Sequence, residues 1–254
     1  ETADSALSKF CLEGLRTKSL HTQSEYLDRL EMELGVISDR GFSKYFLTMN
    51  KISQKANGVM LTGPGRGSAA GSLVAYALNI TQVDPLKYGL QFSRFLRADA
   101  TDYPDIDYDV ADSMQLKEIL IKEWGADKVA PISNWNTLQL KSLIKDISKF
   151  KGIDFKEVND VTSVMMSEAI GPAKKKRGIK TGVYTPTFDE VMEFSDTLKS
   201  FLARHPDVKT HVEALYGQVR SCSRHAGGVV VGEDLNQRMP LINSGGVRQT
   251  PWSE

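Results

Sequence analysis

An α+β fold with a helical segment inserted between two mixed portions is predicted by three features of the 254-residue chain. A glycine-rich run, Gly63-Pro64-Gly65-Arg66-Gly67-Ser68-Ala69-Ala70-Gly71-Ser72, leads into a stretch rich in Ala and Leu. An aspartate run, Pro104-Asp105-Ile106-Asp107-Tyr108-Asp109, has the period of a strand. A charged, helix-patterned middle then precedes a β-branched return at His225 to Val231.

In chain order, the first strong helical pattern is Glu25 to Ile37. The glycine run follows as a loop, because glycine admits positive φ and lets backbone approach a ligand closely. A polar loop that opens onto a helix aims unpaired N–H groups at an anion. Ser68 to Leu78 is predicted as that helix, with apolar positions at Leu73, Ala77 and Leu78 and no internal proline. In the next element, period-two alternation places Asp105, Asp107 and Asp109 on one face of a strand. Three hard oxygen donors on one face repel one another unless a divalent cation, with Mg²⁺ the natural candidate, neutralises them. A phosphate cradle beside a carboxylate strand points to phosphoryl or nucleotidyl transfer.

Plainer readings stand beside these. The glycine run also fits a tight connection, and the alternating aspartates fit a solvated edge strand. Gly65-x-Gly67-x-x-x-Gly71 is a loose dinucleotide-binding fingerprint, with Asp84 at about the distance of a ribose-binding acid. No Gly-Lys-Ser/Thr closes the run, which argues against a Walker-type loop.

Beyond residue 140, Lys141, Lys145 and Lys149 repeat at four-residue spacing and share one helix face, suited either to tracking phosphates or to simple solvation. The basic run Ala173-Lys174-Lys175-Lys176-Arg177-Gly178 sits among Gly171, Pro172 and Gly182 and is predicted as a loop. Such a loop reaches a DNA backbone, resembles a localisation signal by accident, or keeps the surface soluble. Asp189 to Leu202 and Pro206 to Tyr216 are predicted helices, the second with a proline start. His225 to Val231 is predicted as a buried strand, with His225 structural.

Composition bounds the classes. With 41% hydrophobic and 25% charged residues the chain has an ordinary globular balance, room for one good core and an inserted subdomain. No apolar run approaches a bilayer span and no signal-peptide pattern opens the chain, so no membrane partner and a cytoplasmic location are expected. Cys11 and Cys222 lack metal spacing and are expected as reduced thiols. The 32 basic and 32 acidic residues cancel, so their distribution is the guide to nucleic-acid binding rather than their sum.

The segment from Gly63 through Val74-Ala-Tyr-Ala-Leu-Asn-Ile-Thr-Gln-Val-Asp-Pro-Leu-Lys-Tyr-Gly-Leu90 closely resembles the palm of bacterial C-family replicative DNA polymerases, the polymerase III alpha subunits. Phe92-Ser-Arg-Phe-Leu96 and Pro104-Asp-Ile-Asp-Tyr-Asp109 follow in that family's order. Tyr26-x-x-Arg29-Leu30-Glu31-x-Glu33-Leu34 and Gly41-Phe42-x-x-Tyr45-Phe46-Leu47 resemble its palm entry, Thr137-Leu-Gln-Leu-Lys141 with Lys145, Asp146 and Lys149 its basic helix, and Ser223-Arg-His225-Ala-Gly-Gly-Val-Val-Val231 its later strand.

The resemblance implies a polymerase-beta-like nucleotidyltransferase palm, a mixed sheet flanked by helices, with an inserted helical thumb. Its portions are 1–138 (first palm part), 139–217 (thumb-like insertion) and 218–254 (second palm part, truncated). Asp105 and Asp107 carry over as ligands of two catalytic Mg²⁺ ions, with Asp109 on the same face. Gly67 and Ser68 carry over as triphosphate contacts with Arg66 and Arg94 as charge partners, since an arginine fork suits phosphate. Lys141, Lys145 and Lys149 carry over to DNA contact. The implied activity is template-directed transfer of deoxynucleotides to a primer 3′-end. The implied partners are primed template DNA, deoxynucleoside triphosphates, the remaining polymerase domains or a separately encoded segment, and, as a further candidate, a sliding clamp.

Departures qualify this. Phe95-Leu96-Arg97-Ala98-Asp99-Ala100 stands where the family reads Phe-Leu-Asn-Pro-Glu-Arg, leaving Arg97 as the substitute for the arginine replaced by Ala100, and Ser93 stands in place of a glutamate. The family's third catalytic aspartate, in a Lys-x-Asp-Phe-Leu-Gly-Leu motif, has no counterpart after Gln249. The chain is therefore expected to be a fragment, inert alone unless Glu233, Asp234, Glu254 or another segment supplies that carboxylate. The alternative is a noncatalytic, polymerase-derived DNA-binding or scaffold module.

Overall fold

A computed structural model describes residues 2–253. It divides into two compact units, Glu1–Ala130 with Val229–Leu235, and Pro131–Gly228 with Asn236–Glu254.

The first unit begins with α1 (Ala3–Thr17), α2 (Ser24–Asp39) and α3 (Ser43–Asn57). The Thr2 hydroxyl accepts from the Ser5 amide and caps α1. Helical spacing puts Leu7, Cys11 and Leu15 of α1 and Tyr26, Leu30 and Ile37 of α2 into one core with Phe46 of α3. Gly14 lets α1 touch backbone at Ala77, where a Cβ would overlap the carbonyl.

The helix predicted from Ser68 to Leu78 is instead two pieces, a 3₁₀ turn over Gly67–Gly71 and the short α4 (Leu73–Ala77). Between them Ser72 has φ −101° and ψ 122°, and its hydroxyl caps α4 by accepting from the Ala75 amide at 3.1 Å. Serine's competence as a cap outweighs the helix propensity of the surrounding alanines.

The aspartate run is not part of a β-ladder, contrary to expectation. An isolated antiparallel bridge joins Thr62 to Val110, and the Gly63 amide donates to the Asp109 carbonyl at 2.9 Å. Pro104 has no N–H to donate at the start of the run. Burial still alternates: Pro104 and Ile106 are buried, Asp105 and Asp109 are exposed, and Asp107 is half-buried. Next comes α5 (Ser113–Trp124), which packs Leu116 and Leu120 against Ile52 and Ala56 of α3.

In place of one mixed sheet, the described residues carry two separate two-stranded sheets. One joins β1 (Val129–Thr137) to β2 (Val219–Val231). The other pairs β3 (Ile242–Ser244) antiparallel to β4 (Val247–Gln249), with Asn243 opposite Arg248. The strand predicted at His225 to Val231 exists within β2 but is half-buried to exposed, because a single neighbouring strand leaves much of it uncovered.

Five helices fill the second unit between β1 and β2: α6 (Leu140–Phe150), α7 (Phe155–Lys176), α8 (Phe188–Phe194), α9 (Asp196–Arg204) and α10 (Pro206–Leu215). The single helix predicted over Asp189 to Leu202 is broken at Ser195, whose hydroxyl caps α9 and donates to Glu168. The basic run predicted as a loop is helical through Lys176, with Pro172 inside α7. Val158, Val161, Met165, Ala169 and Ala173 bury one continuous stripe, and that packing offsets the hydrogen bond that proline removes. No helix among the described residues is long and apolar enough to cross a membrane.

Candidate functional site

The glycine loop and the aspartate run, separated in sequence, lie against each other. Gly67 has φ +66°, and a Cβ there would stand 2.8 Å from Asp107 Oδ2. A Cβ on Gly63 would meet Asp109 Cβ at 2.9 Å. On its other side the loop is held by Gln82, whose amide donates to the Pro64 carbonyl at 2.6 Å. Glycine is thus demanded here by close approach to the carboxylates as well as by backbone conformation.

Arg66 projects from the same loop and spans two aspartates, with Nη2 3.1 Å from Asp107 Oδ1 and Nε 3.4 Å from Asp109 Oδ1. Arg66 and Asp109 are solvent-exposed and Asp107 is half-buried, so the pairs add little stability. Their interest is chemical, because a cation already sits between two carboxylates. Hard oxygen donors of this kind suit Mg²⁺, and the guanidinium shows that the pair accepts positive charge. Among the described residues no three His, Cys, Asp or Glu side chains converge to hold a metal. Neighbours two apart in a run of strand-like period are spaced at about 6.6 Å, which spreads Asp105, Asp107 and Asp109 along a line rather than around a point.

Two adjoining clefts open beside this edge. One, of about 730 Å³, is lined by Gly67, Ser68, Gly71, Leu90, Gln91 and Arg94 among others. The second, of about 430 Å³, has Ser68, Arg94, Tyr103 and Asp105 in its wall. Ser68 and Arg94 face both, so two of the four predicted triphosphate contacts share a cleft with Asp105. Arg94 is exposed and has no ion-pair partner among the described residues.

Several sequence candidates find other employment. Arg97 makes a two-pronged pair with Asp99, Nε to Oδ1 at 3.0 Å and Nη2 to Oδ2 at 2.7 Å, which holds the Asp99 carboxyl below its ordinary range. Asp84, the ribose-binding candidate of the dinucleotide reading, accepts from the Leu86 and Lys87 amides and from the Tyr26 hydroxyl at 2.6 Å. It is a turn cap, and burial together with that bond pushes the Tyr26 hydroxyl up to about 12. Glu233 pairs with Lys128 at 3.1 Å, and Glu254 lies outside the described residues.

On α6, Lys141 and Lys149 are exposed, whereas Lys145 donates to Asn159 Oδ1 at 3.0 Å and lies over the Phe155 ring. In the second basic run, three cations stay at the surface but are engaged within their own unit. Lys176 pairs with Glu193, Arg177 with Glu190, and Lys174 donates to the Gly182 carbonyl.

Sequence reasoning missed the work of Arg29 and Glu33, which touch the segments forming the clefts. The available signal was an Arg/Glu pair at i,i+4 spacing with the glutamate on the apolar face of α2.

The family described as the bacterial DNA polymerase III alpha NTPase domain matches residues 5–253. DNA polymerase III subunit alpha of Bacillus subtilis is 35% identical over 247 residues, covering 94% of this chain and 21% of that protein. The subunit of the same name in Campylobacter jejuni is 34% identical over 251 residues, 94% of this chain and 20% of that protein. The one from Mycobacterium tuberculosis is 34% identical over 224 residues, 85% of this chain and 19% of its own length. The chain spans about a fifth of the length of these curated relatives.

Proposed function

The chain belongs to the bacterial DNA polymerase III alpha family, and from that premise we propose that it forms the nucleotide-binding and metal-binding part of a template-directed DNA polymerase, a palm carrying a thumb-like helical insertion. The observation that carries this reading is the seating of Gly67 on Asp107, which sets an anion cradle and a row of carboxylates at one edge.

In this reading Ser68 and Arg94 bind the triphosphate of a deoxynucleotide, with the Gly67 backbone alongside, and Arg94 supplies a bidentate fork to phosphate oxygens. Arg66 exchanges its aspartate partners for phosphate when the nucleotide arrives. Asp105 and Asp107 hold two Mg²⁺ ions, with Asp109 next to them. A divalent ion held by these carboxylates would supply activation of the primer 3′-hydroxyl and neutralisation of charge at the attacked phosphorus. The exposed face of α6, through Lys141 and Lys149 with Lys145 beside them, tracks the DNA backbone.

The pairing of Arg66 with Asp107 and Asp109, with no three-carboxylate group among the described residues, favours a second reading, a polymerase-derived module that binds DNA without catalysis. Primer extension by this chain in Mg²⁺, with Asp105→Ala in parallel, separates the two. Extension that the substitution abolishes is expected for a catalytic palm. Triphosphate and DNA binding with no extension, even when the rest of a polymerase III alpha subunit is supplied, would leave the binding module.

A further inference from the structure

The Arg29–Glu33 pair of α2 contributes no lining to the clefts, yet it grips the segments on both sides. Glu33 is fully buried, and its carboxylate accepts four hydrogen bonds: from Arg29 Nε at 2.7 Å, the Leu73 amide at 2.8 Å, and the Ser72 hydroxyl and Val74 amide at 3.0 Å each. Burial pushes this carboxyl up, and the two amides and the guanidinium pull it back toward the ionised form. The other end of the guanidinium reaches further. Arg29 Nη2 donates to the Gly71 carbonyl at 2.7 Å and to the Leu90 carbonyl at 3.0 Å.

Those carbonyls belong to the two segments that shape the larger cleft. Gly71 ends the 3₁₀ turn that carries Gly67 and Ser68, and Leu90 leads into the segment that carries Arg94. Between them there is no room for a side chain, since a Cβ on Gly71 would lie 2.8 Å from the Gln91 carbonyl oxygen. One guanidinium and one bare backbone therefore set the gap between Ser68 and Arg94.

We propose that Arg29 and Glu33 are positioning residues for the triphosphate cleft, holding the glycine loop and the Arg94 segment at the spacing an anionic ligand requires; this rests on the nucleotide reading above. Glu33 orients the guanidinium and pins α4, and the guanidinium fixes both carbonyls. Lysine keeps the charge opposite Glu33 but has no planar fork with which to reach the carboxylate and two carbonyls together. Geometry set before the ligand arrives spares the ligand the cost of ordering the cleft.

The test measures affinity for dATP and for inorganic tripolyphosphate by titration calorimetry on this chain. The unsubstituted protein, Arg29→Lys, Gly71→Ala and Arg94→Ala are compared well below each thermal midpoint, where lost stability alone leaves affinity unchanged. Arg29→Lys and Gly71→Ala are each expected to weaken both ligands by about tenfold or more, the consequence of losing about one hydrogen bond to a charged phosphate. If Arg29→Lys does not fold, Gly71→Ala carries the test, because it spreads the two segments whose carbonyls the guanidinium bridges while both side chains of the buried pair stay in place. Folded variants that bind as tightly as the unsubstituted chain, while Arg94→Ala is impaired, overturn the positioning role alone. Absence of triphosphate binding by the unsubstituted chain overturns the nucleotide reading and this inference with it.

Discussion

Gly67 combines two demands that a substitution can separate. Its φ of +66° lies in the left-handed region, and the space where a Cβ would go is taken by Asp107. Gly41 shares the first demand, with φ +72°, but has nothing within 4 Å of such a Cβ. Gly67→Ala and Gly41→Ala are each expected to cost about 1–2 kcal/mol of stability from backbone strain, read as a lower thermal midpoint. Only Gly67→Ala is expected also to impair triphosphate binding, because only there does the new methyl press on an aspartate. Equal binding by the two variants would remove the contact from the site. The sequence displays glycine at both positions with equal force; the difference lies in what stands opposite.

Among the elements, α6 presents the clearest test of nucleic-acid contact. Lys141 and Lys149 are free to meet phosphate, while Lys145 is held by Asn159. Each phosphate neutralised on duplex DNA contributes about 0.9 to the slope of log affinity against log salt. The double substitution Lys141→Ala with Lys149→Ala is therefore expected to lower that slope by up to about 2, and Lys145→Ala to change it less. A slope unaltered by the double substitution excludes α6 from the interface. Periodicity alone put three lysines on one face, but it treated them as equivalent, since the partner of Lys145 comes from the next helix. The same limit explains α7, where Pro172 and the glycines read as a break and a buried apolar stripe carries the helix through.

At the scale of the whole molecule, the 32 basic and 32 acidic residues balance at neutral pH, and as pH falls stability is lost wherever the fold holds a carboxylate ionised. Glu190, buried at the start of α8, accepts from the Tyr184 hydroxyl at 2.6 Å, pairs with Arg177 and bonds the Thr187 amide, which together pull its pKa from 4.5 down to about 2. A carboxyl depressed in the folded state stabilises fully above its unfolded value and loses that contribution as pH falls through the folded one. Stability is thus expected to decline between about pH 4.5 and about pH 2, and Glu190→Gln to flatten that part of the profile. Chemical denaturation across this range is the measurement, and a parallel decline in both proteins would assign the acid limb to other groups.

The sequence by itself determined the features that obey a local period or a local steric rule. Ile106 and Pro104 are buried while Asp105 and Asp109 are exposed, α2 and α6 each bury one face, and the chain from Gly63 to Arg66 departs from regular structure. The family could also be recognised there, since the glycine run and the aspartate run are contiguous words. Tertiary structure alone decided that Gly67 rests on Asp107, that Arg66 spans two aspartates, and that Arg29 joins Gly71 to Leu90 across separations of 42 and 61 residues. Among the described residues it also formed two small sheets where one mixed sheet was expected. Side-chain period is written by neighbours a few bonds away, whereas a hydrogen bond or a close backbone approach between distant segments depends on how whole elements pack, and no local pattern encodes that distance.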